Sequence, residues 1–426
     1  MHIDDTYQQL LDSANTYDRQ KITIFVAMSG GVDSSVAAFL LKKENFNVKG
    51  IYMQCHGKND PKCKAHKDRS DAVKVASYLN IPIEIWDLEE EYKNLVIEYF
   101  YEEYSKGRTP NPDILCNSEI KFDLFLKKAL KRGADYVATG HYAKIVNFDK
   151  LTTNPTQFIT NDKSTMSRLI GDKLINNYYQ KTKFLNPKPK ISKSLFIASG
   201  FDMWKDQSYF LSRVKIGSLN NIIFPLGSVE KKAEKSINST REIAVKVGIP
   251  VANKKDSTGI CFLEGVVTQD FLKERFSEKN GNVLNKKGEI IGDHKGAYFY
   301  TVGQRKDFQI NAYHKSPLYV LSKDVSKNTI TVGIKSDLLK NEINVTDFDL
   351  AITEATLNEF CGDGNIFVRI RNLGDFVKVS KVVLGSKVKF YLSKPLDSIA
   401  PGQFAVLYFF DPLSGERILV GSGVII

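Results

Sequence analysis

Cysteine is scarce, with five in 426 residues. That number is too small for a disulfide framework and points to a reducing compartment. No apolar run reaches the length that crosses a bilayer, so a membrane partner is not expected. No Gly-Lys-Ser/Thr closes a glycine-rich turn, which excludes the Walker loop of kinases and GTPases. No repeat of fixed period runs through the chain. The N-terminus carries Asp4, Asp5, Asp12 and Asp18. It therefore lacks the arginine-rich, acid-poor pattern of an organelle presequence, and it lacks a signal-peptide core.

What is present suffices for packed cores. Hydrophobic residues make up 42% of the chain, and the length implies two or three domains. The net charge of +11 favours an anionic partner. A solvated, lysine-rich surface explains the charge equally well, so charge alone does not select nucleic acid.

The most informative segment runs from the β-prone Ile22-Thr23-Ile24-Phe25-Val26 through Ala27-Met28-Ser29-Gly30-Gly31-Val32-Asp33-Ser34-Ser35 into the apolar run Val36–Leu41. This reads as strand, glycine turn and helix start. Two glycines let amide N–H groups converge, and the helix N-terminus adds unpaired donors and a positive dipole end. The result is a phosphate site. Ser29, Ser34 and Ser35 can donate hydroxyls to it, and Asp33 can hold Mg²⁺ or cap the helix. The segment resembles the SGGxDS pyrophosphate loop of the ATP pyrophosphatase superfamily, whose members split ATP between the α and β phosphates.

From residue 22 to about 145, strand-like and helix-like runs alternate. Expected elements are a strand over 46–53, a helix over 70–79, a strand over 81–86, a helix over 121–130 and a strand over 136–139. This is the rhythm of a doubly wound parallel α/β sheet, with ligands at the carboxyl ends of its strands. Residues from about 147 to 199 are rich in Asn, Lys, Thr and Pro and read as an insertion. Helical character returns over 232–247. From about 281 short strands follow, at 297–302, 318–321, 329–332, 367–370, 387–392 and 404–410, which suggests small β-barrels. The expected domains are an extension (1–21), a catalytic α/β domain (22–262), a central β-rich domain (263–335) and a C-terminal β-barrel (336–426).

Two cysteines stand in polar loops. Thr109-Pro110-Asn111-Pro112-Asp113-Ile114-Leu115-Cys116-Asn117 is stiffened by two prolines, which suits placing Asp113 and Cys116. Cys116 is expected just before a helix start, where a lowered thiol pKa is reasonable. The second loop is Lys255-Asp256-Ser257-Thr258-Gly259-Ile260-Cys261-Phe262. Each cysteine alone reads equally as a small core residue. Together, beside a pyrophosphate loop, one can carry a persulfide sulfur while the other attacks or resolves.

The 29–34 loop, Asn111-Pro112-Asp113 with Cys116, Thr139-Gly140-His141-Tyr142-Ala143, Lys205-Asp206-Gln207-Ser208-Tyr209, Asp256–Phe262 and Tyr300-Thr301-Val302-Gly303-Gln304-Arg305 occur in one order. In that order the chain resembles the tRNA-specific 2-thiouridylases, from about Ile22 to its C-terminus, with 147–199 as the main departure. The resemblance implies an adenine-nucleotide α-hydrolase-like fold. It implies ATP phosphates at Ala27, Met28, Ser29, Gly30, Gly31, Val32, Asp33 and Ser34, with Met53 and Gly140 near the adenosine. Asn111, Pro112 and Asp113 would meet the target base, with Asp113 also able to transfer protons. Cys116 matches the nucleophile and Cys261 the persulfide carrier. Lys205, Asp206 and Gln207 match a tRNA-contacting segment. Arg369 stands at a further tRNA contact, where Ile370 replaces the family's tyrosine. An iron–sulfur cluster on Asp113, Cys116 and Cys261 is compatible with the spacing.

The implied reaction is ATP- and Mg²⁺-dependent adenylation of O2 of the wobble uridine in tRNA for Lys, Glu or Gln, followed by sulfur transfer from a persulfide. The implied partners are a tRNA anticodon stem-loop and a persulfide donor or relay protein. The implied compartment is the mitochondrial matrix for a eukaryotic source, towards which the insertion and the Lys/Asn bias lean, and the cytoplasm for a bacterial one. Two other readings compete: a small-molecule adenylating ligase, and a tRNA-binding protein without activity. Weaker features are Cys55-His56 with Cys63 and His66, read as a loop rather than a zinc site. Lys231, Lys232 and Lys235 read as phosphate contacts or a solvated face. His141 reads as a helix-start polar group or, as the resemblance implies, as lining the active site, and Cys361 reads as structural or incidental.

Overall fold

A computed structural model describes residues 5–13, 16–57, 64–147, 195–231, 239–256, 268–311 and 315–426. Short apolar runs bounded by glycine or polar turns become the strands of the first domain. These are β1 (Thr23–Ala27), β2 (Asn47–Gln54), β3 (Ile83–Asp87), β4 (Tyr136–Ala138), β5 (Ala143–Asn147), β6 (Leu195–Ser199) and β7 (Ile222–Ile223). Five of them form a parallel sheet in the order β3-β2-β1-β4-β7. Ala27 lies opposite Ile51, and on the other side Phe25 lies opposite Val137. Residues 24–27 are buried, as expected of a central strand flanked by paired neighbours on both sides.

Helices Val32–Lys43 and Lys64–Tyr78 carry the chain outward from β1 to β2 and β3. A helical stretch from Pro112 to Lys131 then brings it back to β4, on the far side of β1. The order therefore reverses between β1 and β4, and a crevice opens above their carboxyl ends. The helix expected over 121–130 starts earlier, at Pro112, and is π-helical over Cys116–Phe125. Cys116 thus sits within a helical stretch and not before one. The helix expected over 232–247 is described over Thr240–Lys246. Its start is fixed by a reciprocal capping box between Ser239 and Glu242. Residues 232–238, with Lys232 and Lys235, lie outside the described residues.

The central domain has β8 (Gly281–Leu284), β9 (Ile290–His294), β10 (Gln309–Ile310), β11 (Tyr319–Asp324) and β12 (Thr329–Gly333), ordered β10-β9-β8-β12-β11. Phe100, Tyr101 and Tyr104, from helix Glu98–Ser105, share one core with Val283, Tyr300 and Ile330. The strand expected over 297–302 is instead a 3₁₀ turn, Ala297–Phe299. Gly296 at φ 136° turns the chain there, and Asn328 Oδ1 accepts from Ala297 N at 2.9 Å.

The last domain has β13 (Lys340–Leu350), β14 (Ile366–Arg369), β15 (Val377–Val383), β16 (Val388–Leu396), β17 (Phe404–Phe410) and β18 (Arg417–Ile425). The order β13-β16-β15-β14-β17-β18 closes on itself through β13–β18, a barrel without free edges. β6 pairs with β18 at Ala198 and Ile418, and β5 lies beyond it. The first domain therefore lends two strands to the barrel sheet. The insertion expected to end at about 199 gives way to β6 from Leu195, and residues 148–194 lie outside the described residues. Among the described residues no helix is long and apolar enough to cross a membrane.

Candidate active site

The turn after β1 is organised by its own serines. Gly30 takes φ +74°, and a Cβ there would stand 2.1 Å from the Asp68 carbonyl oxygen. Ser29 Oγ accepts from Gly31 N at 3.3 Å, and Ser34 Oγ accepts from Ser29 N at 3.1 Å. Ser35 Oγ donates to the Gly31 carbonyl at 2.7 Å. Gly31 is the N-cap of helix Val32–Lys43 and has no side-chain cap, so the first amides of the helix are left for a ligand. The turn after β4 closes against this one. A Cβ on Gly140 would lie 2.6 Å from Ser34 N, so only glycine lets the two loops meet.

Between these loops lies a cleft of about 340 Å³. Ala27, Met28, Ser29, Gly31, Val32, Asp33, Ser34, Met53 and Gly140 line it, as do Lys205, Gln207 and Cys116. Thr139, His141 and Tyr142 complete its β4 side. The Thr139 hydroxyl and His141 Nδ1 are 2.7 Å apart. Burial, and then the charge of Lys121, holds His141 well below the usual histidine value, so its ring is neutral at physiological pH.

The charges of the cleft are paired in a chain. Asp33 Oδ1 accepts from Tyr142 Oη at 2.8 Å and from Lys231 Nζ. Lys231, 2% exposed, also reaches Asp256 Oδ1 at 3.2 Å. Its place is thus inside the cleft and not on a solvated face. Asp256 further accepts from Lys205 at 2.8 Å and from Arg241 at 2.6 Å. Burial alone would raise the Asp256 carboxyl. The bond from Lys205 and the charge of Lys231 outweigh it and hold the group below the usual carboxylate range. Lys254 bonds the Gly30 carbonyl at 3.0 Å, with Asp68 and Asp71 each at 2.7 Å. Lys254 and Asp68 stand in no motif legible in the sequence, whereas Lys121 follows the Cys116 loop directly. The one clue to Lys254 is that it adjoins Lys255-Asp256.

Cys116 lines the cleft but is 4% exposed. Burial pushes its thiol above the ordinary value of 9.0, and the Asp113 carboxylate adds to this. The Lys121 charge and a hydrogen bond from Tyr92 oppose it without reversing it. The lowered pKa expected at a helix start is therefore corrected: a mid-helix, desolvated position favours the neutral thiol. Asn111, Pro112 and Asp113 form the turn leading to Cys116, with Pro112 at the first helical position. The C-terminal barrel braces this turn. Gln403 Nε2 donates to the carbonyls of Thr109 at 2.9 Å and Pro110 at 3.2 Å, while Asn111 Nδ2 donates to Gln403 Oε1 at 3.3 Å.

The segment expected to touch tRNA divides. Lys205 and Gln207 face the cleft, and Gln207 Oε1 accepts from Tyr142 N at 3.1 Å. Asp206 is fully buried and binds Gly200 N, Ser208 N and the Arg369 guanidinium, the last at 2.7 Å. Arg369 is 3% exposed and stacks 4.0 Å over Phe376, and Ile370 is buried. For Asp206, Arg369 and Ile370 the expected tRNA contact is corrected to an internal tie between the α/β domain and the barrel. Cys261, with Ser257–Phe262, lies outside the described residues, as does Cys63. Among the described residues no three His, Cys, Asp or Glu side chains gather to hold a metal. Cys361 is buried in the barrel domain.

Family models match the whole of this architecture. They are a tRNA methyl transferase HUP domain at residues 22–168 and 158–265, a tRNA methyl transferase PRC-barrel domain at 269–334 and an aminomethyltransferase β-barrel domain at 340–425. A tRNA-specific 2-thiouridylase MnmA from Karelsulcia muelleri is 39% identical over 430 residues, covering 94% of this chain and 98% of that protein. One from Buchnera aphidicola subsp. Schizaphis graminum is 34% identical over 415 residues, covering 94% and 96%. Among solved structures, the U34-tRNA thiolase NcsA of Methanococcus maripaludis with its [4Fe-4S] cluster is 17% identical. It has a TM-score of 0.30 and covers 63% of this chain and 69% of that one, a likeness too slight to argue from.

Proposed function

This chain belongs to the tRNA-specific 2-thiouridylase family, and from that premise we propose how its cleft turns the wobble uridine of a tRNA into 2-thiouridine. ATP binds with its phosphates against the 29–34 turn and the start of helix Val32–Lys43, with Met53 and Gly140 beside the adenosine. O2 of the uridine attacks the α phosphate, pyrophosphate leaves, and O2 becomes part of a good leaving group, AMP. Lys231 and Lys254 stand where they would balance charge on the departing pyrophosphate. The observation that carries this reading is that the pyrophosphate turn and Cys116 line one cleft at the reversal point of the sheet.

Asp33 fits a Mg²⁺ carried in by the phosphates. Its Oδ1 is taken by Tyr142 and Lys231, whereas Oδ2 has no partner among the described residues. A magnesium ion bound there would screen the phosphates. An iron–sulfur cluster lacks comparable support. Cys261, the second cysteine such a cluster would need, lies outside the described residues.

In the sulfur step, a persulfide on Cys261 supplies the outer sulfur. Either that sulfur attacks C2 directly, or the Cys116 thiolate attacks Cys261 Sγ. On the first route the Cys116 thiolate then attacks Cys261 Sγ of the resulting Cys261–S–S–C2 adduct, which forms a Cys116–Cys261 disulfide and releases 2-thiouridine. The second route forms the same disulfide first and frees hydrosulfide, which attacks C2. In both, AMP departs with the old oxygen. The disulfide then needs an external dithiol to reset it. A persulfide donor or relay protein loads Cys261. For the compartment, we carry over the mitochondrial matrix for a eukaryotic source and the cytoplasm for a bacterial one.

The test is nucleoside mass spectrometry of unmodified tRNA for Lys, Glu or Gln after incubation with the protein, ATP, Mg²⁺ and a persulfide source. ATP-dependent 2-thiouridine that vanishes in Cys116→Ala and in Cys261→Ala is expected. Full thiolation by either variant would sink the cysteine roles. AMP formation driven by a small acid and ammonia, without tRNA, would favour a ligase.

A further inference from the structure

Tryptophan occurs twice in the chain, in opposite surroundings. Trp86 is 3% exposed, 5.6 Å from the Phe125 ring and under Lys128. Trp204 is 87% exposed, and Phe201, three residues earlier on the same turn, is 53% exposed. A single exposed aromatic residue needs no explanation by itself. Here the turn that carries it is held rigid, and its neighbour points into the active site.

Every part of the turn is pinned. Phe201 N donates to the Gly227 carbonyl at 2.8 Å, and Lys205 N to the Asp202 carbonyl at 3.0 Å. One Asp202 oxygen accepts from Trp204 N at 3.0 Å, and the other from Lys231 N at 2.9 Å. Met203 lies against the Arg417 guanidinium. On the far side Asp206 locks Gly200 and Ser208. The fixed backbone holds both rings towards solvent, and among the described residues neither ring stacks on another. Lys205, one peptide or about 3.8 Å further along the chain, lines the cleft.

We infer that Trp204, with Phe201, is a stacking platform for a nucleobase of the tRNA anticodon loop. That base neighbours the wobble uridine and stays outside while the uridine enters the cleft. The inference rests on the 2-thiouridylase reading and extends its substrate site by one nucleotide. Extruding a base leaves its neighbour without a stacking partner. A preordered, solvent-exposed indole replaces that partner at little entropic cost, and a planar ring accepts any base. Lys205 beside it is paired with Asp256 at 2.8 Å, and the remaining donors of its ammonium suit the adjoining phosphate.

The two-tryptophan composition makes the test selective. Titrating the full-length protein with unmodified tRNA, without ATP, should quench the exposed-tryptophan emission and shield it from acrylamide, while buried Trp86 is unchanged. Trp204→Ala should raise the KM for tRNA by roughly five- to hundredfold, the range that loss of one base–aromatic stack produces. Its kcat at saturating tRNA and its KM for ATP should hold. Trp204→Tyr should restore most of the tRNA affinity. An active wild type whose Trp204→Ala variant keeps the same KM for tRNA would overturn the platform and leave the 2-thiouridylase reading standing. A raised KM for a protein persulfide donor, with that for tRNA unchanged, would overturn it too, by assigning the surface to that partner. A wild type that binds tRNA but forms no 2-thiouridine would instead remove the premise.

Discussion

Cys116 combines two requirements that pull apart. It must reach the cleft, yet the same packing that aims it there desolvates it and favours the neutral thiol. Lys121 supplies the opposing charge and Tyr92 a hydrogen bond. Because the folded-state value lies above the ordinary 9.0, the thiolate is depleted below that pH and grows only as pH rises past it. Iodoacetamide, followed by peptide mass mapping, should therefore modify Cys116 more slowly than free cysteine at pH 8. The rate should climb above pH 9, and Lys121→Met should slow it further. Modification at the rate of free cysteine would show the thiol to be already activated. Catalysis through Cys116 then calls for substrate binding to bring in the base or charge that ionises it.

At the level of elements, the proline loop is placed by a distant strand. Prolines 110 and 112 limit the dihedrals of Thr109–Asp113, but stiffness alone does not fix where the loop sits. The turn before β17 does so: Gln403 holds two loop carbonyls, and Thr109 N donates to the Pro401 carbonyl at 2.8 Å. Gly402, at φ +92°, makes the approach possible, since a Cβ there would stand 2.8 Å from Thr109 N. Gln403→Ala strands two carbonyls, which costs roughly 1–3 kcal/mol. The expected outcome is a lower melting temperature and a thiolation kcat that falls while the KM for ATP holds. Equal losses in kcat and ATP affinity would mean that the whole cleft, and not the loop, depends on this brace.

Across the whole molecule, the α/β domain and the barrel are joined by more than adjacency. β5 and β6 enter the barrel sheet, and the buried Arg369–Asp206 pair crosses between the two. Breaking such a pair leaves one uncompensated buried charge, at a cost of about 3–5 kcal/mol. Arg369→Met should therefore lower stability towards urea by about that amount, and Arg369→Met with Asp206→Asn should recover most of it. At temperatures where Arg369→Met is folded, its KM for tRNA should match the wild type. A raised KM without lost stability would return Arg369 to the tRNA surface.

The sequence by itself determined what contiguous residue types can determine. The β1–turn–helix unit follows from an apolar run, two glycines and an apolar helix, because backbone freedom and amide convergence are local properties. Alternating apolar runs likewise made the parallel sheet and the late β-rich domains legible. Tertiary structure decided what depends on partners far along the chain. The resemblance places Arg369 at a tRNA contact, whereas Asp206, 163 residues away, pairs with it inside the fold and makes its burial affordable. The Cys116 thiol was expected to ionise easily because a helix start lowers a thiol pKa. Burial reversed the sign, and burial is set by every element packed around the residue. Lys254 gave almost no local signal, and its role appears only where Asp68, Asp71 and the Gly30 carbonyl converge on it. Local chemistry thus determined which loops could bind, while the solvent and charge around each side chain, which depend on the complete fold, decided what each residue does there.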